Sequence, residues 1–207
     1  VVGFEKVALK VFAFFFFHCS VYREFVNMLH VQNPKSLKEI PFLPISFFKS
    51  HEVRSETRDV ETIFKSSGTT GMIRSQHFVE STEMYRRSFL STYIQQLGKL
   101  EDQVILALLP NYVEQGSSSL VYMVDALIEG TNNSLSKFYL NDVNELLLAY
   151  QLAIQTNKKV IIFGVSYALL DLAALKPDLS QAIIIETGGM KGRRKEMTKE
   201  ELHLELK

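Results

Sequence analysis

Ser66, Ser67, Gly68, Thr69, Thr70 and Gly71 set four hydroxyls and two glycines in six consecutive positions, shortly before Arg74. Glycines at positions 68 and 71 permit positive backbone φ and let a ligand approach the main chain closely. Successive N–H groups in such a loop form a concave donor surface, and the hydroxyls add donors of their own. The chemistry this suits is anion binding, above all of a phosphate chain. Neither common nucleotide fingerprint is present, because Gly68 and Gly71 satisfy neither G-x-x-x-x-G-K-[ST] nor G-x-G-x-x-G. Two more stretches carry the same residue types: PNYVEQGSSS at 110–119 and ETGGMKG at 186–192.

Other reactive side chains point to less. His51 and His77 flank the loop region, but isolated histidines outside a ligand-spaced cluster are more often structural, so neither receives a catalytic role. Arg193, Arg194 and Lys195 read as a solvated turn ahead of a helix. Thr198 and Glu201 have the spacing of a capping box for that helix. No G-x-S-x-G elbow is present, which disfavours a serine hydrolase. The residues alone assign no catalytic group and no metal-ligand set.

The elements that must position these loops alternate between strand and helix. VETIFK (60–65) is β-rich and runs into the glycine loop, after which Ser81 caps a helix in which Tyr85, Phe89, Tyr93 and Leu97 recur every four residues before Gly98. VILALL (104–109) is a continuous apolar run, as expected of a strand buried on both faces, and a helix over 118–129 stopped by Gly130 follows. KFYL, a helix over 143–155, VIIFGV (160–165), a helix around YALLDLAAL closed by Pro177, and AIIIETGG complete the pattern. The fold class expected is α/β, a largely parallel sheet with helices on both faces, preceded by a helical N-terminal segment. Pro41 and Pro44 mark the boundary, giving a helical segment over 1–55 and an α/β nucleotide-binding region over 56–207. Ligands in such sheets bind at the carboxyl ends of the strands, where SSGTTG, PNYVEQGSSS, FGVS and ETGGMKG emerge.

The chain of 207 residues is 46% hydrophobic, enough for a substantial core. It carries 23 basic and 23 acidic side chains, so no polyanion-binding field favours a nucleic-acid partner. A single cysteine, Cys19, excludes an internal disulfide and suits a reducing, cytoplasmic compartment. The phenylalanine-rich stretch Val7–Tyr22 is too short for a membrane span and lacks a cleavage site, so it reads as a buried amphipathic helix with Cys19 in its packing.

SSGTTG resembles the phosphate-binding loop of the AMP-forming acyl-activating superfamily, with Arg74 where the basic residue is often Lys. IPFLPISFFKSHEV, LPNYVEQGSSSLVYM and ETGGMKGRRKEMTKEELH extend the resemblance over nearly the whole chain, toward the acyl-protein synthetase family. Phenylacetate-CoA ligases are the runner-up. The resemblance implies that Ser66, Ser67, Gly68, Thr69, Thr70, Gly71 and Arg74 hold the β and γ phosphates of ATP. It implies that Gly188, Gly189 and Met190 lie along adenine, and that Tyr112, Gly116, Ser117 and Ser118 border the acyl substrate. The implied reaction joins a fatty acid or other carboxylic acid to AMP with help from Mg2+. The acyl group then passes to a protein thiol on a reductase or carrier, or to coenzyme A.

The chain also departs from that family. No Tyr-Gly-x-Thr-Glu segment follows GGMKG, and the ribose-binding aspartate, the C-terminal lysine and the acyl-accepting cysteine of the family have no counterpart here. The expectation is an N-terminal portion of an acyl-adenylating enzyme, inactive by itself. A binding module for nucleotide or acyl groups is the non-enzymatic alternative.

Overall fold

Four consecutive phenylalanines in a helix project about 100° apart, so one packed face cannot hide them all. Phe14, Phe15, Phe16 and Phe17 meet this limit in the first helix, α1 (Phe4–His18). In the computed structural model, which describes residues 3–66, 73–109, 117–140, 142–188 and 197–206, α1 buries none of its residues. Phe4 and Phe17 remain 75% and 69% exposed. The expectation of one buried helix over Val7–Tyr22 is therefore corrected. The chain breaks at Cys19, whose backbone is extended, and restarts as α2 (Ser20–Met28). Cys19 is fully buried, as expected, and forms a small core with Tyr22 and Val26, against which Phe12 and Phe16 pack. No helix among the described residues is long and apolar enough to cross a membrane.

The chain divides into two compact units, Val1–Glu83 and Met84–Lys207. Beyond α2 the first unit holds a short 3-10 turn at Leu37–Glu39, the single-turn α3 (Phe47–Ser50), and strands β1 (Thr62–Lys65) and β2 (Gln76–Val79). Here the structure departs from the expected strand, loop and helix. β1 pairs antiparallel with β2, Thr62 opposite Val79 and Lys65 opposite Gln76, in a two-stranded sheet separate from the parallel one. β2 went unrecognised because QHFV is short and directly follows residues whose glycines and hydroxyls suggest an extended loop.

The second unit contains the parallel sheet. Its order is β4-β3-β5-β6, built from β3 (Gln103–Leu108), β4 (Lys137–Phe138), β5 (Lys159–Gly164) and β6 (Ala182–Glu186). Each neighbouring pair is parallel. The connections are α5 (Ser119–Thr131), α6 (Val143–Ala153) and α7 (Ser166–Ala173). The whole of β3, and β5 from Val160 onward, is buried, as the uninterrupted apolar runs predict. By the right-handed crossover rule α5 covers one face of the sheet while α6 and α7 cover the other.

Helix α4 (Thr82–Leu97) places Tyr85, Phe89 and Tyr93 on this core. Its end is sealed by Gln103, a side chain only 1% exposed. Gln103 Nε2 donates to the carbonyls of Leu97 and Gly98, both at 3.1 Å, and Tyr93 Oη donates to Gln103 Oε1 at 2.7 Å. Burying an amide is tolerable when its hydrogen bonds are made, and here three are. Helix α5 runs past the expected stop at Gly130 to a left-handed Asn132. A Cβ on Gly130 would lie 2.5 Å from Leu100 Cδ1, so this glycine lets Leu100 pack closely against the helix. The last helix, α8 (Lys199–Leu206), begins with the expected capping box: Glu201 N donates to Thr198 Oγ1 at 3.2 Å and Thr198 N to Glu201 Oε2 at 2.8 Å.

Candidate functional site

In the first unit the hairpin fixes both ends of the hydroxyl-rich loop. Ser66 N donates to the Ser75 carbonyl at 3.0 Å, extending the β1–β2 ladder by one rung. Ser66 Oγ then accepts from both Ser75 N and Ser75 Oγ at 3.0 Å. A hydroxyl has one proton and two acceptor positions, so Ser66 keeps its own proton as the group it can donate. Arg74, half-buried, directly precedes this staple. Ser67, Gly68, Thr69, Thr70 and Gly71 lie outside the described residues, as does their implied contact with phosphate. The two histidines near the loop have ring partners: His51 stacks on Phe47 and His77 on Phe48, each pair with centroids 4.8 Å apart.

The second unit has the reversal of strand order at which parallel α/β sheets bind ligands. From β3 the chain moves to β4 on one side, then crosses to β5 on the other, so the winding reverses between β3 and β5. Ligands in open α/β sheets bind outside the carboxyl ends of the strands at such a reversal. Leu109 follows β3 there, Val165 and Ser166 follow β5, and Thr187 and Gly188 follow β6. Of the implied acyl-pocket residues, Ser117 and Ser118 are described and half-buried, whereas Tyr112 and Gly116 are outside the described residues. Ser118 caps α5, its Oγ accepting from Val121 N at 3.4 Å. Of the implied adenine segment, Gly188 is described and has φ +78°, while Gly189 and Met190 are not.

Two residues that sequence reasoning did not single out organise this end of the sheet. Glu186, the last residue of β6, accepts on Oε1 from Ser166 Oγ at 2.5 Å and from Gly188 N at 2.7 Å. Thr187 ties the same turn to β5, its N–H and hydroxyl donating to the Gly164 carbonyl at 2.9 and 3.2 Å. The available signal was positional, since both FGVS and ETGG end strands, but pairing Glu186 with Ser166 requires knowing that β5 and β6 are neighbours.

A shallow depression of about 410 Å³ lined by Thr156, Lys158, Lys159 and Gln181 opens at the opposite pole, beside the amino ends of β5 and β6. Its position is the reverse of where such sheets bind ligands. Among the described residues no group of three or more His, Cys, Asp or Glu could hold a metal ion. Comparison of the chain with protein families gave no match, and comparison with curated proteins gave none either.

Proposed function

We propose that the chain belongs to an AMP-forming ligase that activates a carboxylic acid, preferably a fatty acid, as its acyl-adenylate and then passes the acyl group to a protein thiol. The observation that carries this reading is the shared pole of the sheet. Leu109 and the Glu186–Gly188 turn leave the carboxyl ends of β3 and β6, which are separated only by β5. Two strand spacings make about 10 Å. A base lying along the turn after β6 and a carboxylate beside the stretch after β3 would then have the α-phosphorus between them.

In the proposed reaction a carboxylate oxygen attacks that phosphorus, the bond to the β-phosphate oxygen breaks, and pyrophosphate leaves with the electron pair. A thiolate next attacks the acyl carbon and AMP departs. Protein groups contribute mainly by positioning the reactants and donating hydrogen bonds to developing charge. The resemblance of SSGTTG, PNYVEQGSSS and ETGGMKG to the acyl-protein synthetase segments supports the reading.

The test is exchange of labelled pyrophosphate into ATP. The enzyme is expected to exchange only when a carboxylic acid is supplied, with medium and long chains preferred to acetate. Thioester formation on a protein thiol against that on coenzyme A separates the two acceptors. ADP and inorganic phosphate as products would overturn the acyl-adenylate reading, and ATP binding without exchange for any acid would favour a binding module.

A further inference from the structure

The turn after β6 is held from two sides, and one carboxylate does half of the holding. Thr187 continues the ladder with β5 through the Gly164 carbonyl. Gly188 then turns into the left-handed region at φ +78°, where no ladder partner awaits its N–H. That N–H is instead directed back to Glu186 Oε1 at 2.7 Å. The same oxygen accepts from Ser166 Oγ at 2.5 Å, and Ser166, the first residue of α7, is only 4% exposed. A carboxyl oxygen has two acceptor positions, so one atom can take both donors. Glu186 thereby locks the turn to the start of α7.

Among the described residues, the nearest atom a Cβ at Gly188 would meet is Glu186 Oε1, at 4.0 Å. Its positive φ is a conformation that favours glycine.

We propose that Glu186 is a positioning residue for nucleobase recognition. By holding Gly188 N–H and Ser166 Oγ on one oxygen, it fixes the orientation of the Gly188 peptide against which a purine ring would lie. The proposal rests on the acyl-adenylate reading and adds a residue to it. A flat base in contact with bare backbone has few contacts that can adjust, so a displaced turn loses affinity for the base before it affects the chemistry.

The test measures AMP binding by titration calorimetry on the intact protein and its Glu186→Ala, Glu186→Gln and Ser166→Ala variants. The Gly188 amide resonance is followed in parallel by nitrogen-15 NMR. Glu186→Ala is expected to weaken AMP about tenfold and to raise the KM for ATP comparably, with kcat at saturating ATP within about twofold of wild type. Glu186→Gln keeps an oxygen that can accept from both donors and is expected to stay within about threefold of wild type. Ser166→Ala, which removes one of the two donors, should fall between them. Glu186→Ala should also move the Gly188 resonance. Wild-type AMP affinity in Glu186→Ala, or Glu186→Gln binding as poorly as Glu186→Ala, overturns the positioning role and leaves the acyl-adenylate reading standing. A wild-type protein that binds no adenine nucleotide sinks that reading, and the proposal with it.

Discussion

At the scale of single residues, the phosphate assignment turns on the difference between charge and hydroxyl. The proposed loop engages ATP through neutral donors at Ser67, Thr69 and Thr70 and one cation, Arg74. Removing a neutral hydrogen bond costs about 0.5–1.5 kcal/mol, and removing a charged one about 1.5–3 kcal/mol. Arg74→Ala should therefore weaken ATP more than Thr69→Ala in calorimetric titration of the intact protein. Equal affinity of wild type and an Arg74→Ala, Thr70→Ala double variant would refute the assignment. Ser66 is placed differently from its neighbours, because its oxygen already closes the hairpin on Ser75. Its substitution should loosen the base of the loop as well as remove a donor.

At the scale of elements, the approach of α7 to β5 is governed by a missing side chain. A Cβ on Gly164 would lie 2.5 Å from Leu169 Cδ2 and 2.6 Å from Leu169 Cγ, and Leu169 is itself buried. Gly164→Ala must push the helix away or force Leu169 from its rotamer, a cost of about 1–3 kcal/mol. Denaturant unfolding measures it. Leu169→Ala alone should cost about 2–5 kcal/mol through the cavity it leaves. Because the added methyl fills part of that cavity, the double variant should lose less than the two single costs added together, and strict additivity would show that the two sites do not share the space. A displaced α7 also carries Ser166 away from Glu186, so the packing of this helix bears on the turn that follows β6.

At the scale of the whole molecule, the two units differ in pH liability: among the described residues most depressed carboxylates lie in the first unit, with Asp178 in the second, and most raised phenols lie in the second, with Tyr22 in the first. Carboxylates join segments of the N-terminal unit, and their pKa values lie below the ordinary 4.5. The hydroxyl and then the N–H of Ser20 lower that of Glu56. The N–H and then the hydroxyl of Thr82 lower that of Glu61. For Glu80, burial pulls upward but is outweighed by the hydroxyls of Ser55 and Thr57 and the N–H of Glu56. A depressed carboxylate contributes stability that is present above 4.5 and is lost as pH falls through its folded value. In the C-terminal unit the phenols shift the other way. Burial raises Tyr93, and burial together with the charge of Glu145 pushes Tyr139 from 10.0 up to about 12. Their contribution is complete below pH 10 and is lost as pH rises from there toward the raised values. Hydrogen exchange should therefore show the N-terminal unit opening first in acid and the C-terminal unit first in alkali. The reverse order would contradict both assignments.

Much of the second unit was legible in its local pattern. VILALL and VIIFGV are apolar without interruption because both faces of a central parallel strand are buried, and β3 and β5 occupy those central places. Thr198 and Glu201 could be paired from spacing alone, since a capping box closes within one helical turn. Where the decisive partner is distant in sequence, the tertiary structure alone decided. VETIFK has the composition of a sheet strand, yet its pairing with Gln76–Val79 put it in a separate hairpin, because strand composition does not specify which edge a strand joins. The exposed phenylalanines of α1 were misread for a related reason: apolar composition states a preference for burial, but the surface available to cover a helix is set by the rest of the fold. Glu186 and Ser166 stand 20 positions apart, and only the adjacency of β5 and β6 brings hydroxyl and carboxylate within one hydrogen bond.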